Sequence, residues 1–143
     1  MDNCKFCKIV TGEQSNLLIM EDEDTIAFLD HRPLFPGHTL LVPKTHYETL
    51  VDLPDCLVAP LFKNAKLLAA AVEQGLGAGG SFIAINNRIS QSVPHLHVHI
   101  VPRRKGDGMK GFFWPRHPYE SPEAMLTVVD RLRQAIARLR LET

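Results

Sequence analysis

The stretch Pro94-His95-Leu96-His97-Val98-His99-Ile100-Val101 constrains this 143-residue chain more than any other. Histidines and aliphatics alternate in it without a break, and a period of two belongs to a β-strand, whose side chains point to opposite faces in turn. The spacing therefore predicts a strand over 94–101 with three imidazoles on one face, roughly 6.6 Å apart, and Leu96, Val98 and Ile100 in a core. A strand half apolar and half functional needs a sheet around it.

Short apolar runs supply the other strands. Leu17 to Met20 and Thr25 to Leu29 flank the acidic Glu21-Asp22-Glu23-Asp24 and read as a hairpin. His38 to Val42 is a third strand, closed by Pro43, which lacks the N–H that an interior ladder needs. Ser81 to Ile85 is a fourth. Between strands three and four, Leu57, Leu61, Ala65, Leu68 and Val72 recur at helical spacing until Gly75, Gly77, Gly79 and Gly80, with Pro60 tolerable only near the helix start. Ser121-Pro122-Glu123 places a capping hydroxyl, a proline and an acid where a second helix begins. Met125, Val128, Val129, Leu132, Ile136 and Leu139 then form its stripe. Consecutive strands without helical crossovers, plus two main helices, predict an α+β domain on an antiparallel sheet of about five strands. No repeat or low-complexity linker divides it, so one domain is expected over 1–143.

Sixteen basic residues offset sixteen acidic ones, and without a cationic surplus duplex nucleic acid is not an expected partner. No apolar run approaches the ~20 residues that span a bilayer, and the N-terminus lacks the order of a secretion signal, so a cytoplasmic protein with no membrane partner is expected. Three cysteines, Cys4, Cys7 and Cys56, cannot all pair. In a reducing compartment Cys4-Lys5-Phe6-Cys7 reads as a metal clip or redox pair, and Cys56 as a core residue.

The histidines carry the chemistry. Three same-face positions on one strand are too widely spaced for a single ion, so at most two can share a metal and at least one stays free. A neutral imidazole is a competent nucleophile near pH 7. Phosphorus is a suitable target, because Gln91 and Ser92 precede the strand as hydrogen-bond donors and Arg103-Arg104-Lys105 follow it as an anion-attracting run.

The residues Gln91-Ser92-Val93-Pro94-His95-Leu96-His97-Val98-His99-Ile100-Val101 resemble the signature of the histidine triad superfamily. The resemblance extends through Cys4-Lys5-Phe6-Cys7, Ala27-Phe28-Leu29-Asp30, Pro36-Gly37-His38 and Leu41-Val42-Pro43-Lys44-Thr45-His46, and so covers about the first hundred residues. It implies a small α+β fold, usually doubled in a homodimer, and a nucleotide hydrolase or transferase acting at an α-phosphate. By this resemblance His97 attacks phosphorus to form a nucleotidyl-histidine that water opens, releasing a nucleoside monophosphate. His99 holds a phosphate oxygen, and Ser92 and Gln91 contact phosphate or the leaving group. His38 lies near the triad, Asp30 binds the ribose, Phe6 and Phe28 wall the base, and Asn86 or Asn87 contacts phosphate. In metal-containing branches, including hexose-phosphate uridylyltransferases, the matching residues are Cys4, Cys7, His46 and His95, which implies a closed structural Zn2+ site.

The chain also departs from the family. Asn86 to Gln91 is shorter than the usual loop before the triad, has no glycine, and carries Ser90 where glycine is usual. His31 stands where an aliphatic usually meets the base. Pro102-Arg103 after the triad resembles the dinucleoside polyphosphate hydrolase branches. Dinucleoside polyphosphates or similar adenylated compounds are therefore the expected substrates; a nucleoside phosphoramidase and a nucleotide-binding scaffold are the alternatives. The Phe112-Phe113-Trp114 segment is expected to close over a base or seal a dimer.

Overall fold

A computed structural model describes residues 3–14, 16–109 and 116–142. The Phe112-Phe113-Trp114 segment lies outside the described residues. The chain divides into two units, one through Asp107 and one from Gly108.

The first unit is built on a five-stranded antiparallel sheet of β1 (Leu18–Glu21), β2 (Thr25–Leu29), β3 (Thr39–Pro43), β4 (Gly80–Ala84) and β5 (Val98–Arg103), in the spatial order β1-β2-β3-β5-β4. The β1–β2 turn closes on Asp22, whose carboxylate accepts the main-chain N–H groups of Asp24 and Thr25 and the Asn64 amide. These bonds hold the Asp22 carboxyl below its ordinary range.

Sheet register sorts the core. Ala27 pairs with Leu41 and Leu41 with Val98, and these residues with Ile100 form one face. Against that face packs α2 (Asp55–Leu76), presenting Leu61, Ala65, Leu68 and Val72, an i, i+4, i+7, i+11 stripe. Pro60 sits in its second turn, beyond the positions whose N–H groups are free, so the helix tolerates one missing bond. Gly77 ends it at φ 65°, a left-handed cap that favours glycine. Cys56, expected in the core, is exposed on the first turn of α2, because its neighbour Leu57 takes the inward-facing position that continues the Leu61, Ala65, Leu68 and Val72 stripe.

The opposite face is the one that matters for function. Phe28 pairs with Leu40, and Leu40 with His99, so register alone lines up an aromatic, an aliphatic and an imidazole. The short α1 (Lys5–Val10) lays Phe6 and Ile9 on this face, where they join Ile26, Phe28, Leu40 and Val42.

In the second unit α3 (Pro122–Glu142) begins as expected, with the Ala124 N–H donating to the Ser121 hydroxyl at 3.1 Å. None of its described side chains is buried. Among the described residues no helix is long and apolar enough to cross a membrane.

Candidate active site and metal cluster

The histidine segment differs from the expected regular strand. Strand β5 starts only at Val98, so His99 alone of the three lies within it, and His95 and His97 belong to the irregular lead-in. The cause is local: the Leu96 N–H bonds to Tyr47 O instead of to a neighbouring strand, and the His95 N–H bonds back to Val93 O. Alternation survives in Leu96, Val98 and Ile100, which are fully buried. The histidines, freed from a strict 6.6 Å row, take three different settings.

His95 is fully buried and donates its Nε2–H to Pro43 O at 2.8 Å. That bond leaves Nδ1 as a lone pair, directed at Cys4 Sγ (3.5 Å) and Cys7 Sγ (3.6 Å). His46 Nδ1 lies 3.3 Å from Cys7 Sγ. The four donor atoms fall within 4.8 Å of one another. A tetrahedron with zinc-like bonds of about 2.3 Å to sulfur and 2.0–2.1 Å to nitrogen has S···N edges of about 3.6 Å, so the donor set fits such an ion. Burial and the adjacent Cys4 thiol push Cys7 up to about 11, and burial pushes His95 down to about 4. A neutral imidazole is what a ligand position needs, and a divalent ion would reverse the thiol shift.

His97, buried, donates Nδ1–H to the His95 carbonyl at 2.7 Å. Its Nε2 is therefore a lone pair, and it faces a cleft of about 340 Å³. Burial holds His97 below the usual histidine range, so the ring is neutral near pH 7. Phe6 packs edge-on against it, with ring centres 5.1 Å apart.

The third setting is a relay. The Leu34 N–H donates to His38 Nδ1 at 3.1 Å, so His38 carries its proton on Nε2 and donates it to His99 Nδ1 at 2.9 Å. His99 must then carry its own proton on Nε2. That buried nitrogen has no partner among the described residues. Burial first, then the neighbouring imidazoles, pushes His99 down to about 4, and burial also lowers His38. An orphaned N–H donor beside a nucleophilic nitrogen is an arrangement suited to an incoming oxyanion. Asp30 completes the group, 3.8 Å from His38 Nε2, with its other oxygen accepting the Arg32 N–H.

The cleft gathers Phe6, Phe28, Asp30, Ser92, His97 and His99 among the sequence-predicted residues. His38 stands behind His99. Gln91 and Asn86 are not brought to it. The Gln91 amide is committed to the loop, accepting the Arg88 N–H and donating to Glu48 O, and Asn87 Oδ1 accepts the Leu50 N–H. This glycine-free loop holds Arg88 at φ 67° and Ser90 at φ 60°, left-handed geometry that side chains resist. Arg103 and Arg104 are also diverted, to Asp107 and to Leu76 O. Sequence reasoning passed over Ile9 and Leu40 as lining residues. Ile9 follows Phe6 by three positions on one helix face and was detectable; Leu40 is placed only by its register opposite Phe28.

A sheet face and its lead-in that carry a bare imidazole nitrogen and an N–H donor beside an aromatic-walled cleft are suited to handling a phosphoryl group. The HIT domain model matches residues 11–106, and the chain belongs to the HIT family. An adenylylsulfatase of Arabidopsis thaliana is 36% identical over 108 residues, covering 74% of this chain and 55% of that protein. An adenosine 5'-monophosphoramidase of Candida albicans is 31% identical over 143 residues, covering 96% and 93%. Among solved structures, a HIT family member from Bacillus subtilis superposes with a TM-score of 0.84 at 34% identity, covering 92% of this chain and 96% of that one. A Zn-bound histidine triad family protein from Mycobacterium smegmatis gives 0.72 at 39% identity, covering 99% of both.

Proposed function

We propose that this protein is a nucleotide hydrolase that cleaves at the α-phosphate, with dinucleoside polyphosphates or related adenylated compounds as substrates and a nucleoside monophosphate as product. The observation that carries the reading is the pairing of a bare His97 Nε2 with the orphaned His99 Nε2–H in one cleft. In this reading His97 Nε2 forms a bond to phosphorus as the bond to the leaving group breaks and its electron pair departs with that group. The imidazole gains positive charge, and the His95 carbonyl on Nδ1–H stabilises it. His99 donates to a non-bridging oxygen, and water then opens the nucleotidyl-histidine. Phe6 and Phe28, in edge contact with ring centres 5.4 Å apart, form one apolar wall for the base, and Asp30 takes the ribose hydroxyls.

We assign a structural Zn2+ to Cys4, Cys7, His46 and His95. The two-thiolate, two-imidazole set leaves no position for substrate, so the ion's contribution is to tie the N-terminus to the strand that carries His99. The Zn-bound relative supports this assignment. A homodimer working on a nucleotide partner is the assembly in this reading. The phosphoramidase relative supports a second substrate class, the adenylated sulfate relative a third.

The test is a turnover panel of a diadenosine polyphosphate, adenosine phosphosulfate and an adenosine phosphoramidate, with acid-quenched trapping of the covalent intermediate. Release of a nucleoside monophosphate with a phosphorus–nitrogen adduct on His97 is expected. Tight monophosphate binding with no turnover of any substrate would point to a scaffold instead.

A further inference from the structure

Resting on that reading, we infer that a second cavity adjoining the cleft receives the leaving group, and that Lys5 makes it favour leaving groups that are anionic next to phosphorus, such as sulfate or a polyphosphate. The second cavity, about 580 Å³, shares Lys5, Ser92 and Val93 with the nucleotide cleft. Other hollows adjoin the cleft at its apolar end, through Ile9 and Asn16 or through Leu29. The cavity behind Ser92 meets the cleft through Ser92, Val93 and Lys5, and is otherwise walled by Asn3, Cys4, His46, Glu48 and Pro94.

Direction follows from the chemistry. In-line displacement sends the leaving atom away from the attacking nitrogen, so a substrate larger than a mononucleotide needs room beyond its α-phosphate. An anhydride breaks with the electron pair going to an oxygen that leaves as a stable anion and needs no proton. An amine leaving group must instead be protonated. A fixed cation at the exit therefore stabilises the first directly through its charge, whereas it helps the second only if it also gives up a proton, so its charge favours the anionic leaving group.

Lys5 is that cation. It is the first residue of α1 and lines both cavities, and its ammonium has no hydrogen-bond or ion-pair partner among the described residues. The Cys4-Lys5-Phe6-Cys7 clip sets its position: Phe6 is buried against the base side, which turns its neighbour towards the rim. Among the described residues Glu48 supplies the one carboxylate in the second cavity, and it does not line the cleft. The order from phosphorus outward is thus cation first and acid further out, which sets the anionic preference at the atoms adjoining phosphorus.

The test compares kcat/KM for adenosine phosphosulfate with that for an adenosine phosphoramidate in wild type, Lys5→Met and Glu48→Gln. The ratio of the two should fall about three- to fivefold in Lys5→Met, the scale of one partly exposed charge pair, and rise up to about twofold in Glu48→Gln. A parallel titration of the AMP-saturated protein with inorganic pyrophosphate should show binding that Lys5→Met weakens by a similar factor. Unchanged ratios and unchanged pyrophosphate affinity in both variants would overturn the leaving-group assignment. Failure of wild type to turn over these two substrates and a diadenosine polyphosphate would sink the hydrolase reading, while the pyrophosphate titration would still decide the subsite.

Discussion

The Cys4, Cys7, His46 and His95 cluster and the histidine end of the cleft use the same side chain in opposite ways. His95 gives its Nε2 proton to Pro43 O and turns a bare Nδ1 towards two thiols. His99 accepts on Nδ1 the hydrogen bond that His38 Nε2–H donates, and keeps its own Nε2–H without a partner among the described residues. His97, between them, spends Nδ1–H on the His95 carbonyl and keeps a bare Nε2. An imidazole has one proton to place when neutral, and a second hydrogen bond decides which nitrogen carries it. The proposed ligand, nucleophile and donor differ only in what stands behind the ring.

The largest break in this comparison comes at its centre. His97→Ala should lower turnover by about 10³-fold or more, the usual cost of losing a nucleophile, while leaving bound metal unchanged; steady-state rates and metal analysis check both halves. The complementary break is Cys4→Ser, which should cut bound zinc below half an equivalent per chain and lower the melting temperature by on the order of 10 °C, since a closed site contributes directly to folding. Calorimetry with metal analysis checks it, and unchanged melting would rule the structural role out.

A smaller effect sharpens the relay. His38→Ala frees the His99 tautomer without touching phosphorus, so kcat/KM should fall about 10- to 100-fold, as for loss of an outer partner elsewhere. His38 acts here as a positioning residue, and an undiminished rate would show that His99 is oriented by other means. His38 and His99 should also make stability pH-dependent. Their folded pKa values lie below the ordinary 6.5, with His99 at about 4, so below 6.5 the unfolded chain takes up protons that the folded chain refuses. Stability should therefore be fully present above pH 6.5 and decline as pH falls towards 4. Urea midpoints across that window should slope less in His99→Asn than in wild type. The smallest effect belongs to the loop: Ser90→Gly relieves a left-handed φ and should stabilise by up to about 1 kcal/mol, read from the same midpoints.

Residues that announce themselves by pattern were legible from the chain. The hairpin, the α2 stripe, the Ser121 cap and the aliphatic half of the histidine segment all rest on local spacing, and the structure has them. So was the Cys4, Cys7, His46 and His95 grouping, through the resemblance. Gln91 and the Arg103-Arg104 run were harder, because their amide and guanidinium groups had competing partners that only folding brings near, Glu48 O and Asp107 among them. Cys56 was misplaced for a different reason: the helix period that starts at Leu57 leaves it off the buried stripe, and cysteine's general tendency to be buried does not override that face.

Sequence by itself determined that this chain makes an antiparallel sheet with one face of aliphatics and another bearing histidines, because side-chain alternation is a property of the backbone. It did not determine what each histidine does. That was decided by Pro43 O, His95 O and the Leu34 N–H, groups identical in every residue and therefore silent in a sequence, which the tertiary structure places against one ring nitrogen or the other.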